Sequence, residues 1–309
     1  MINSKVVVKA PASSGNMGSG FDCLGMALDW FGEFEFTFGV DLDNESRDNY
    51  SSSAKVISLM AFDAARYGLS VMGESDLAVS VSYKGDMPVG SGLGTSAMAR
   101  SAGVIAAAEV TGRRIKGDEL FAIALELEGH ADNLYPAFYG GIQLAIPDSQ
   151  TSDLTHLSLQ YGGDLDVVML IPEFPMPTDE SREIIPELVS IKDAVHNMSR
   201  VALLITAFYE KRYELLGEAC RDVLHQPVRS KLFPAMYSLL ESANSAGAYG
   251  SFLSGGGSTV AALSDPTKSQ AILGALQACA SKNGLRYRGR ISKVGERGAY
   301  VIHTKSENP

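Results

Sequence analysis

Three glycines and three hydroxyl residues lie within one short segment that could bind an anion. The segment runs from Pro88 to Arg100 and reads Pro-Val-Gly-Ser-Gly-Leu-Gly-Thr-Ser-Ala-Met-Ala-Arg. Glycine loops can bring several backbone N–H groups together, and the amino end of a following helix carries partial positive charge. The segment therefore suits a phosphate, and the Ser96 hydroxyl suits a phosphate-bound Mg²⁺. A flexible turn before a helix capped by Thr95 or Ser96 explains the same residues, so both interpretations stay open.

The spacing of these glycines fits neither of two well-known nucleotide motifs. No lysine follows Gly94, as the Walker P-loop requires, and the G-x-G-x-x-G spacing of dinucleotide-binding folds is absent. What the loop binds must therefore be decided from the rest of the chain.

Two further glycine-rich segments flank this loop in the sequence. The first, residues 12–28, carries four glycines together with Asn16 and Asp22, which it could present to a ligand. A turn-rich connection in which both side chains bind nearby backbone is the slightly favoured alternative. The second holds Gly255–Gly257 between two apolar runs. Because each glycine costs stability within an ordered element, that segment is hard to explain as a turn alone.

Four polar side chains crowd the predicted end of a helix, at Glu128, His130, Asp132 and Asn133. No zinc-type spacing is present, and one histidine with carboxylates suits Mg²⁺ or an alcohol substrate better. An exposed polar corner is the alternative.

Two arginines stand out in this acidic chain because their guanidinium forks suit a carboxylate. They are Arg182 and Arg229. Surface arginines are the commoner explanation for either one.

Composition excludes several classes of protein. The chain has 309 residues, 45% hydrophobic and 20% charged, as is usual for a globular protein. Its net charge of −10 argues against binding to nucleic acid or to an anionic membrane. Cys23, Cys220 and Cys279 are far apart, and we expect buried free thiols in a reducing compartment. No signal core or membrane-spanning apolar run is present, so we expect a cytoplasmic protein.

Periodicity predicts helices and strands that alternate along the chain. A polar loop is expected at residues 41–53, and a turn-forming stretch at 147–152 is a candidate domain boundary. The predicted strands are 6–10 (closed by Pro11), 34–38, 77–83, 142–146, 166–171 and 299–303. The predicted helices are 54–67, 97–108, 116–128, 178–182 (with Thr178 as the cap), 190–208, 213–224 and 267–283.

Together, the three glycine-rich segments resemble the motifs of the GHMP kinases, which include galactokinases, homoserine kinases, mevalonate kinases and phosphomevalonate kinases. The first segment is similar to the N-terminal motif, and the loop at Pro88 is similar to P-x-x-x-G-L-G-S-S-A. Ser254–Ser258 is similar to the C-terminal S-G-x-G motif. The order and the distances are those of the family, so the resemblance covers essentially the whole chain.

Further motifs resemble the homoserine kinase branch of that superfamily. They are Ala10-Pro-Ala-Ser13, Gly18-x-Gly-Phe-Asp-x-Leu-Gly25, His130-x-Asp-Asn-x-x-Pro136 with Gly140-Gly141, Ser190-x-Lys-Asp-Ala194 and Leu224-His-Gln-Pro-x-Arg229. Relatives that act on mevalonate or galactose carry a catalytic Asp where this chain has Asn133.

The resemblance implies an α+β fold of two domains. Residues 1–152 would form a domain of the ribosomal protein S5 domain 2 type, which carries the ATP phosphate loop. Residues 153–309 would form a ferredoxin-like domain, with the site between the two. It also implies ATP-dependent phosphorylation of the hydroxyl of L-homoserine, an alcohol-group phosphotransfer in threonine biosynthesis, and a homodimer.

The site residues implied by the resemblance fall into three groups. Mg²⁺ would bind Ser96 and Glu128. ATP would bind Pro88, Val89, Gly90, Ser91, Gly92, Leu93, Gly94, Thr95, Ser96, Gly255, Gly256 and Gly257. Homoserine would bind Asn16, Asp22, His130, Asn133, Thr178, Arg182 and Arg229, of which Asn133, His130 and Asp22 are the candidate catalytic residues.

Some positions depart from the family pattern. Ser19 stands where Pro is usual, Thr95 where Ser is usual, and Gly256 and Ser258 where Ser and Pro are usual. None of these departures removes a charged ligand. The compact Glu128-Gly-His130 spacing leaves Glu126 as an alternative Mg²⁺ ligand.

The chemistry that this resemblance implies needs alignment and charge neutralisation more than covalent participation. Asn133 cannot accept a proton at neutral pH, so we expect the hydroxyl proton to pass to phosphate or water rather than to His130 or Asp22. Two alternatives remain at this point: another GHMP kinase that acts on mevalonate or threonine, and a GHMP-like binding protein without activity.

Overall fold

The computed structural model describes residues 3–39, 52–147 and 154–307. Its strands are Asn3–Gly15 (β1), Leu24–Phe38 (β2), Val79–Lys84 (β3), Ile142–Pro147 (β4), Leu154–Leu159 (β5), Asp166–Pro172 (β6), Gly250–Leu253 (β7), Val260–Ser264 (β8), Tyr287–Lys293 (β9) and Tyr300–Glu307 (β10). Its helices are Ser52–Val71 (α1), Thr95–Thr111 (α2), Gly117–Glu128 (α3), Leu134–Tyr139 (α4), Thr178–Glu183 (α5), Ile191–Tyr209 (α6), Leu216–Ala219 (α7), Gln226–Arg229 (α8), Met236–Ser245 (α9) and Ser269–Lys282 (α10), with a short 3₁₀ helix at Tyr213–Leu215.

The first sheet is antiparallel and buries one face. Among the described residues its strand order is β10-β1-β2-β4-β5, and β3 also pairs with β2. In β2 the side chains of Phe34, Phe36 and Phe38 are fully buried, while Glu35 and Thr37 between them are partly exposed. This period of two points every second residue at the core.

Helices α1 and α2 cover the buried face and pack against each other through small residues. Most of the buried positions of α2 are alanine. At Gly103 a Cβ atom would lie 2.4 Å from the carbonyl oxygen of Ala61 and 2.8 Å from the Cβ of Ala64. The absence of a side chain at Gly103 therefore sets how closely the two helices approach.

The second sheet has the strand order β7-β8-β6-β9 and is again antiparallel. Every residue of β6 is buried. Helices α9 and α10 pack on this sheet through Leu239, Ile272 and Leu276, and they form a second apolar core. Each sheet thus has its own helical layer.

The two sheets do not follow a single division of the sequence. Strands β5 and β10 both lie beyond residue 153, yet both belong to the first sheet. In particular, β10 pairs with β1 from Asn3↔Glu307 to Lys9↔Tyr300. The candidate boundary residues 148–152 lie outside the described residues, so the division at 152/153 stays a prediction.

Most predicted elements are confirmed, with shifted ends. Helices were found at 52–71, 117–128 and 269–282, and a fully buried strand at 166–172. The Ser190 hydroxyl caps α6 by accepting a hydrogen bond from the Asp193 amide at 3.1 Å. The predicted loop at 41–53 lies almost entirely outside the described residues.

Three local predictions were wrong. Pro11 does not close the first strand, because β1 continues to Gly15 and Pro11 pairs with Phe31 beside an irregularity in the ladder. The helix predicted at 213–224 is reduced to the 3₁₀ helix and the single turn of α7. Thr178 is the first residue of α5, and Pro177 is its cap. The pattern also missed β5, β9, α4, α8 and α9.

The cysteines are free, as predicted, but only Cys220 is fully buried. Cys23 and Cys279 are partly exposed, so the expectation of burial was wrong for these two. Within the described ranges, no helix combines the length and the apolar character needed to cross a membrane.

Two glycine-to-alanine substitutions, each within a helix, should have effects of opposite sign. We expect Gly103→Ala to lower the free energy of unfolding by about 1–3 kcal/mol, because the new Cβ atom meets the backbone of α1. Gly274 in α10 is exposed, and a Cβ atom there meets nothing within 4 Å. Gly274→Ala should therefore stabilise the protein by up to about 1 kcal/mol through helix propensity. Urea unfolding measures both values, and equal effects would contradict the close helix packing.

Candidate active site

Backbone hydrogen bonds join the three glycine-rich segments in space. The Ser13 amide donates to the carbonyl oxygen of Leu93 at 3.1 Å, and the Gly255 amide donates to the carbonyl oxygen of Gly15 at 3.0 Å. The Thr259 amide, just after the third segment, donates to the Ser91 carbonyl at 3.1 Å. The loop 88–96 therefore lies between the other two segments and contacts both.

Two positions of this loop accept only glycine. A Cβ atom on Gly92 would lie 2.0 Å from the Ser254 carbonyl oxygen, and one on Gly94 would lie 1.9 Å from the Ser13 hydroxyl oxygen. Both glycines also have positive φ angles, of 73° and 60°. Glycine is needed at both positions for two reasons: it lets the neighbouring backbone approach closely, and it adopts a positive φ angle without strain.

Buried serines hold the same junction through their hydroxyl groups. The Ser254 hydroxyl donates to the Gly92 carbonyl oxygen at 2.6 Å. The Ser14 hydroxyl lies 2.7 Å from the Ser254 oxygen and must be the donor, because the Ser254 proton is already used. The Ser13 hydroxyl donates to the side-chain oxygen of Asn133 at 3.0 Å, which connects the junction to the polar cluster.

Helix α2 begins directly after the loop without a side-chain cap. Gly94 is its N-cap residue and makes no capping side-chain bond. The Thr95 hydroxyl instead donates to the Pro88 carbonyl at 2.9 Å, and the Ser96 hydroxyl donates to the Glu128 carboxylate at 2.7 Å. The capping alternative for these two residues was therefore wrong. The amino end of a helix, with its partial positive charge, faces the loop.

A cavity of about 560 Å³ opens at this junction. The loop residues, the polar cluster and both candidate arginines border it. The predicted site residues at its wall are Val89, Gly90, Ser91, Gly92, Leu93, Gly94, Thr95, Ser96, Asn16, Glu128, His130, Asn133, Arg182, Arg229, Gly255 and Gly256. Pro88, Asp22 and Gly257 are not in contact with it, although each is adjacent to residues that are. The Thr178 side chain is not described.

Glu128 is buried at the amino end of α2 and already has two partners. Its carboxylate accepts hydrogen bonds from the Ser96 hydroxyl and from the Arg100 guanidinium. Glu126, the alternative Mg²⁺ ligand, lies on the exposed side of α3 and binds the Tyr67 hydroxyl. Of the two glutamates, only Glu128 borders the cavity. The exposed-corner interpretation of the cluster was therefore wrong for Glu128.

Asp132 and His130 stand beside Glu128 in the wall of the cavity. The Nδ1 atom of His130 lies 3.5 Å from the Asp132 carboxylate and 3.8 Å from Glu128. Asp132 is buried, and one of its oxygens has no hydrogen-bond partner among the described residues. Burial raises the pKa of Asp132, and His130 partly offsets that rise.

Asp22 and Arg182 form a two-pronged ion pair. The guanidinium nitrogens of Arg182 donate to the two Asp22 oxygens at 2.7 and 3.0 Å. The Asp22 amide donates to the Asn16 side chain at 3.0 Å, and Asn16 donates to the Gly255 carbonyl at 2.8 Å. The side chain of Asn16 is thus bound to backbone, as the alternative interpretation had it, and Asn16 also borders the cavity.

Arg229 is only 2% exposed, so it is no surface arginine. Its Nε atom donates to the Ser181 carbonyl at 3.2 Å. One terminal nitrogen, Nη1, donates to the Gly255 carbonyl at 3.2 Å and lies 2.9 Å from Nδ1 of His225. Burial, and next the nearby charge of Arg182, lower the pKa of Arg229 to about 10. It stays charged at neutral pH.

Three residues at or beside the site received no predicted role from the sequence. Asp132 was noticed in the polar cluster but was assigned to nothing. Arg100 lies one helical turn after Ser96, and His225 lies one turn before Arg229. Spacings of four residues place side chains on one helix face, and this signal could have indicated both.

The oxygen donors at the amino end of α2 suit a hard cation. Mg²⁺ is usually held by one or two carboxylates together with phosphate oxygens and waters. The Ser96 hydroxyl and the Glu128 carboxylate are such donors, 2.7 Å apart. Over the described part of the chain, no group of three or more His, Cys, Asp or Glu residues could hold a metal ion alone.

Comparisons with known proteins agree on one family. The family model for the GHMP kinases N terminal domain matches residues 51–141, and the model for the GHMP kinases C terminal matches residues 204–282. A homoserine kinase of Caldanaerobacter subterraneus is 36% identical, over 99% of this chain and 98% of its own. A homoserine kinase of Carboxydothermus hydrogenoformans is 36% identical, over 98% of this chain and 99% of its own.

A solved structure supports the same assignment. The crystal structure of homoserine kinase from Cytophaga hutchinsonii matches with a TM-score of 0.81 at 28% identity, and the match covers 96% of this chain and 97% of that one. The two-domain GHMP kinase fold predicted from the sequence is confirmed by these matches.

The Ser254 hydroxyl should hold the loop 88–94 in place. We expect Ser254→Ala to cost about 1–2 kcal/mol of stability, because the Gly92 carbonyl loses its donor. Amide hydrogen exchange should also become faster in residues 88–94. Ser251→Ala is the matched control, since the Ser251 hydroxyl is likewise buried but binds the Leu240 carbonyl, in the second core. Equal exchange in the loop for the two variants would contradict this role of Ser254.

Proposed function

The chain belongs to the homoserine kinase family of the GHMP kinases, and from this membership we propose that it transfers the γ-phosphoryl group of ATP to the side-chain hydroxyl of L-homoserine. The product is O-phospho-L-homoserine, an intermediate of threonine biosynthesis. The family resemblance inferred from the motifs is thereby confirmed. The observation that carries the proposal is one cavity bordered both by the glycine loop and helix α2 and by Arg182 and Arg229.

We propose that the nucleotide phosphates lie on the loop 88–96, with Gly255–Gly257 beside it. Support comes from the amino end of α2, whose partial positive charge faces this part of the cavity. The loop is fixed before any ligand arrives, because its glycines and Ser254 bind the neighbouring segments. Preorganised donors of this kind stabilise the charge that develops on the transferred group at little reorganisation cost.

Ser96 and Glu128 are the proposed ligands of Mg²⁺. When bound there, Mg²⁺ supplies a positive charge that neutralises phosphate oxygens. Glu128 is preferred over Glu126 because only Glu128 borders the cavity and binds Ser96. In the structure Arg100 provides the counter-charge of Glu128.

Arg182 and Arg229 are the proposed partners of the homoserine carboxylate. Arg182 is held in a fixed orientation by Asp22, and Arg229 is held by three groups around its Nε and Nη1 atoms. The remaining nitrogen of Arg229, Nη2, makes no hydrogen bond within the described residues and is free to bind a carboxylate oxygen.

The amino group and the hydroxyl of homoserine remain to be placed. We propose Asp22, His130 and Asn133 for these groups, with Asn16 and Thr178 completing the pocket. The Asn133 amide is oriented by Ser13 and lies 3.2 Å from Asp132, so its direction is set before substrate binds. Asn133 orients the hydroxyl but cannot take its proton, which passes to phosphate or water.

A homodimer and a cytoplasmic location are proposed with the family assignment.

A substrate panel tests the function. ADP release is measured with homoserine, threonine, mevalonate and galactose supplied in parallel. We expect kcat/KM with homoserine to exceed kcat/KM with mevalonate and galactose by at least about a hundredfold, because two arginines and Asp22 select an amino acid. It should also exceed kcat/KM with threonine, whose hydroxyl lies one carbon nearer the carboxylate than that of homoserine. Activity with mevalonate alone would favour a different GHMP kinase. No activity with any of the four compounds would favour a binding protein without catalysis.

The choice between two glutamates tests the metal assignment. We expect Glu128→Gln to lower kcat on the order of a hundredfold or more and to raise the Mg²⁺ concentration needed for half-maximal rate, because an anionic ligand is lost. Glu126→Gln is the matched control. Its side chain faces solvent and Tyr67, so both quantities should stay within about twofold. The reverse pattern would assign the metal to Glu126.

A further inference from the structure

His225 is completely buried between the first glycine-rich segment and Arg229. Its Nε2 atom lies 2.7 Å from the Gly18 carbonyl oxygen, and its Nδ1 atom lies 2.9 Å from Nη1 of Arg229. The imidazole also stacks on the ring of Phe21, with the ring centroids 5.3 Å apart. Nothing in the proposed function uses this side chain.

The two hydrogen bonds determine where the proton of the imidazole lies. A carbonyl oxygen only accepts, so Nε2 must carry hydrogen and donate to Gly18. A guanidinium only donates, so Nδ1 must be the bare acceptor for Arg229. Both bonds exist together only in the neutral Nε2–H form. A doubly protonated ring would place an N–H of His225 against an N–H of Arg229.

The backbone around His225 is also held by hydrogen bonds. The Asp222 carboxylate accepts hydrogen bonds from the backbone amides of Leu224, His225 and Gln226 at 3.0, 2.9 and 2.6 Å. It also accepts from the Asn197 side chain at 2.9 Å. The short helix α8 is thereby held at its start, one turn before Arg229.

We propose that His225 is a positioning residue for substrate binding: its neutral imidazole holds the guanidinium of Arg229 so that Nη2 faces the substrate carboxylate. The proposal rests on the proposed function in one respect, namely that Arg229 binds that carboxylate. The ring itself does not border the cavity, whereas Arg229 does. It acts by occupying Nη1, so that Nη2 is left for the ligand.

Charges of both signs surround the ring, and burial has the largest effect on its pKa. The groups that face it are Asp222 on its own segment, Arg229 on α8 and Asp22 between β1 and β2. Burial lowers the pKa of His225 to about 4, and the charge of Arg229 adds to that decrease, whereas Asp222 acts in the opposite direction. The neutral form required by the hydrogen bonds is therefore the form present at neutral pH.

Stability should depend on pH with a defined sign. The unfolded chain binds a proton at His225 near pH 6.5, whereas the folded chain binds it only near pH 4. The contribution of His225 is thus fully present above pH 6.5 and is lost as the pH falls from 6.5 to 4. Urea unfolding at pH 7 and at pH 5 should show this loss in the unmodified protein, and a smaller loss in the His225→Asn variant.

Three substitutions separate the two hydrogen bonds of the ring. Asparagine keeps an acceptor near the position of Nδ1, glutamine keeps a donor near Nε2, and leucine keeps neither. We expect His225→Gln and His225→Leu to raise the KM for homoserine about tenfold or more, with the KM for ATP unchanged, because Arg229 loses its charge-assisted bond. His225→Asn should restore the KM for homoserine to within about threefold. His196→Asn is the control, since His196 is half-buried, lies on α6 and binds the Arg221 carbonyl rather than an arginine side chain.

The tautomer is tested without any substrate. ¹⁵N NMR of the unmodified protein should show Nε2 protonated and Nδ1 unprotonated from pH 7 to pH 5, with the signal assigned by its absence in His225→Asn. Protonated Nδ1, or a titration of this ring near pH 6.5, would overturn the inference whatever the substrate is. An unchanged homoserine KM in folded His225→Gln would overturn it too. Failure of the substrate panel alone would contradict the proposed function and leave the assigned tautomer intact.

Discussion

The whole site depends on three stretches of backbone that approach each other more closely than any side chain allows. At Gly92 and Gly94 a Cβ atom would lie about 2 Å from atoms of the neighbouring segments. These contacts bring together residues near positions 13, 92 and 254, which lie in β1, in the loop before α2 and directly after β7. These contacts place the amino end of α2, the polar cluster and both arginines around one cavity.

Two of the charged groups at this cavity are paired inside the protein before any ligand arrives. Glu128 is paired with Arg100, and Asp22 is paired with Arg182. Removing Arg100 would leave the buried Glu128 carboxylate uncompensated, which is costly, whereas Asp22 and Arg182 are both partly exposed. Arg229 differs, because its nearest partners are a neutral imidazole and two carbonyl groups. Its charge is therefore held in place without being cancelled, and this suits it to an anionic substrate.

Sequence reasoning identified the glycine segments, the polar cluster and both arginines, because close approach and clustered polar groups leave a local signature. It could not foresee that Asp22 would pair with Arg182, which lies 160 residues further along the chain. The prediction of a helix at 213–224 was wrong for a related reason. In the structure Asp222 binds backbone amides and the Asn197 side chain, and these tertiary bonds outweigh the helical pattern. The tautomer of His225 depends on two partners from distant segments, so no local pattern records it.

The pairing of β1 with β10 has a consequence for the way the protein is made. β1 emerges early from the ribosome, and its edge partner emerges almost 300 residues later. Until then the edge of β1 presents unpaired N–H and carbonyl groups, which can template association with other chains. The growing chain must therefore keep a sheet edge covered or unfolded for most of its synthesis. The first sheet becomes complete only with β10, the last strand of the described residues.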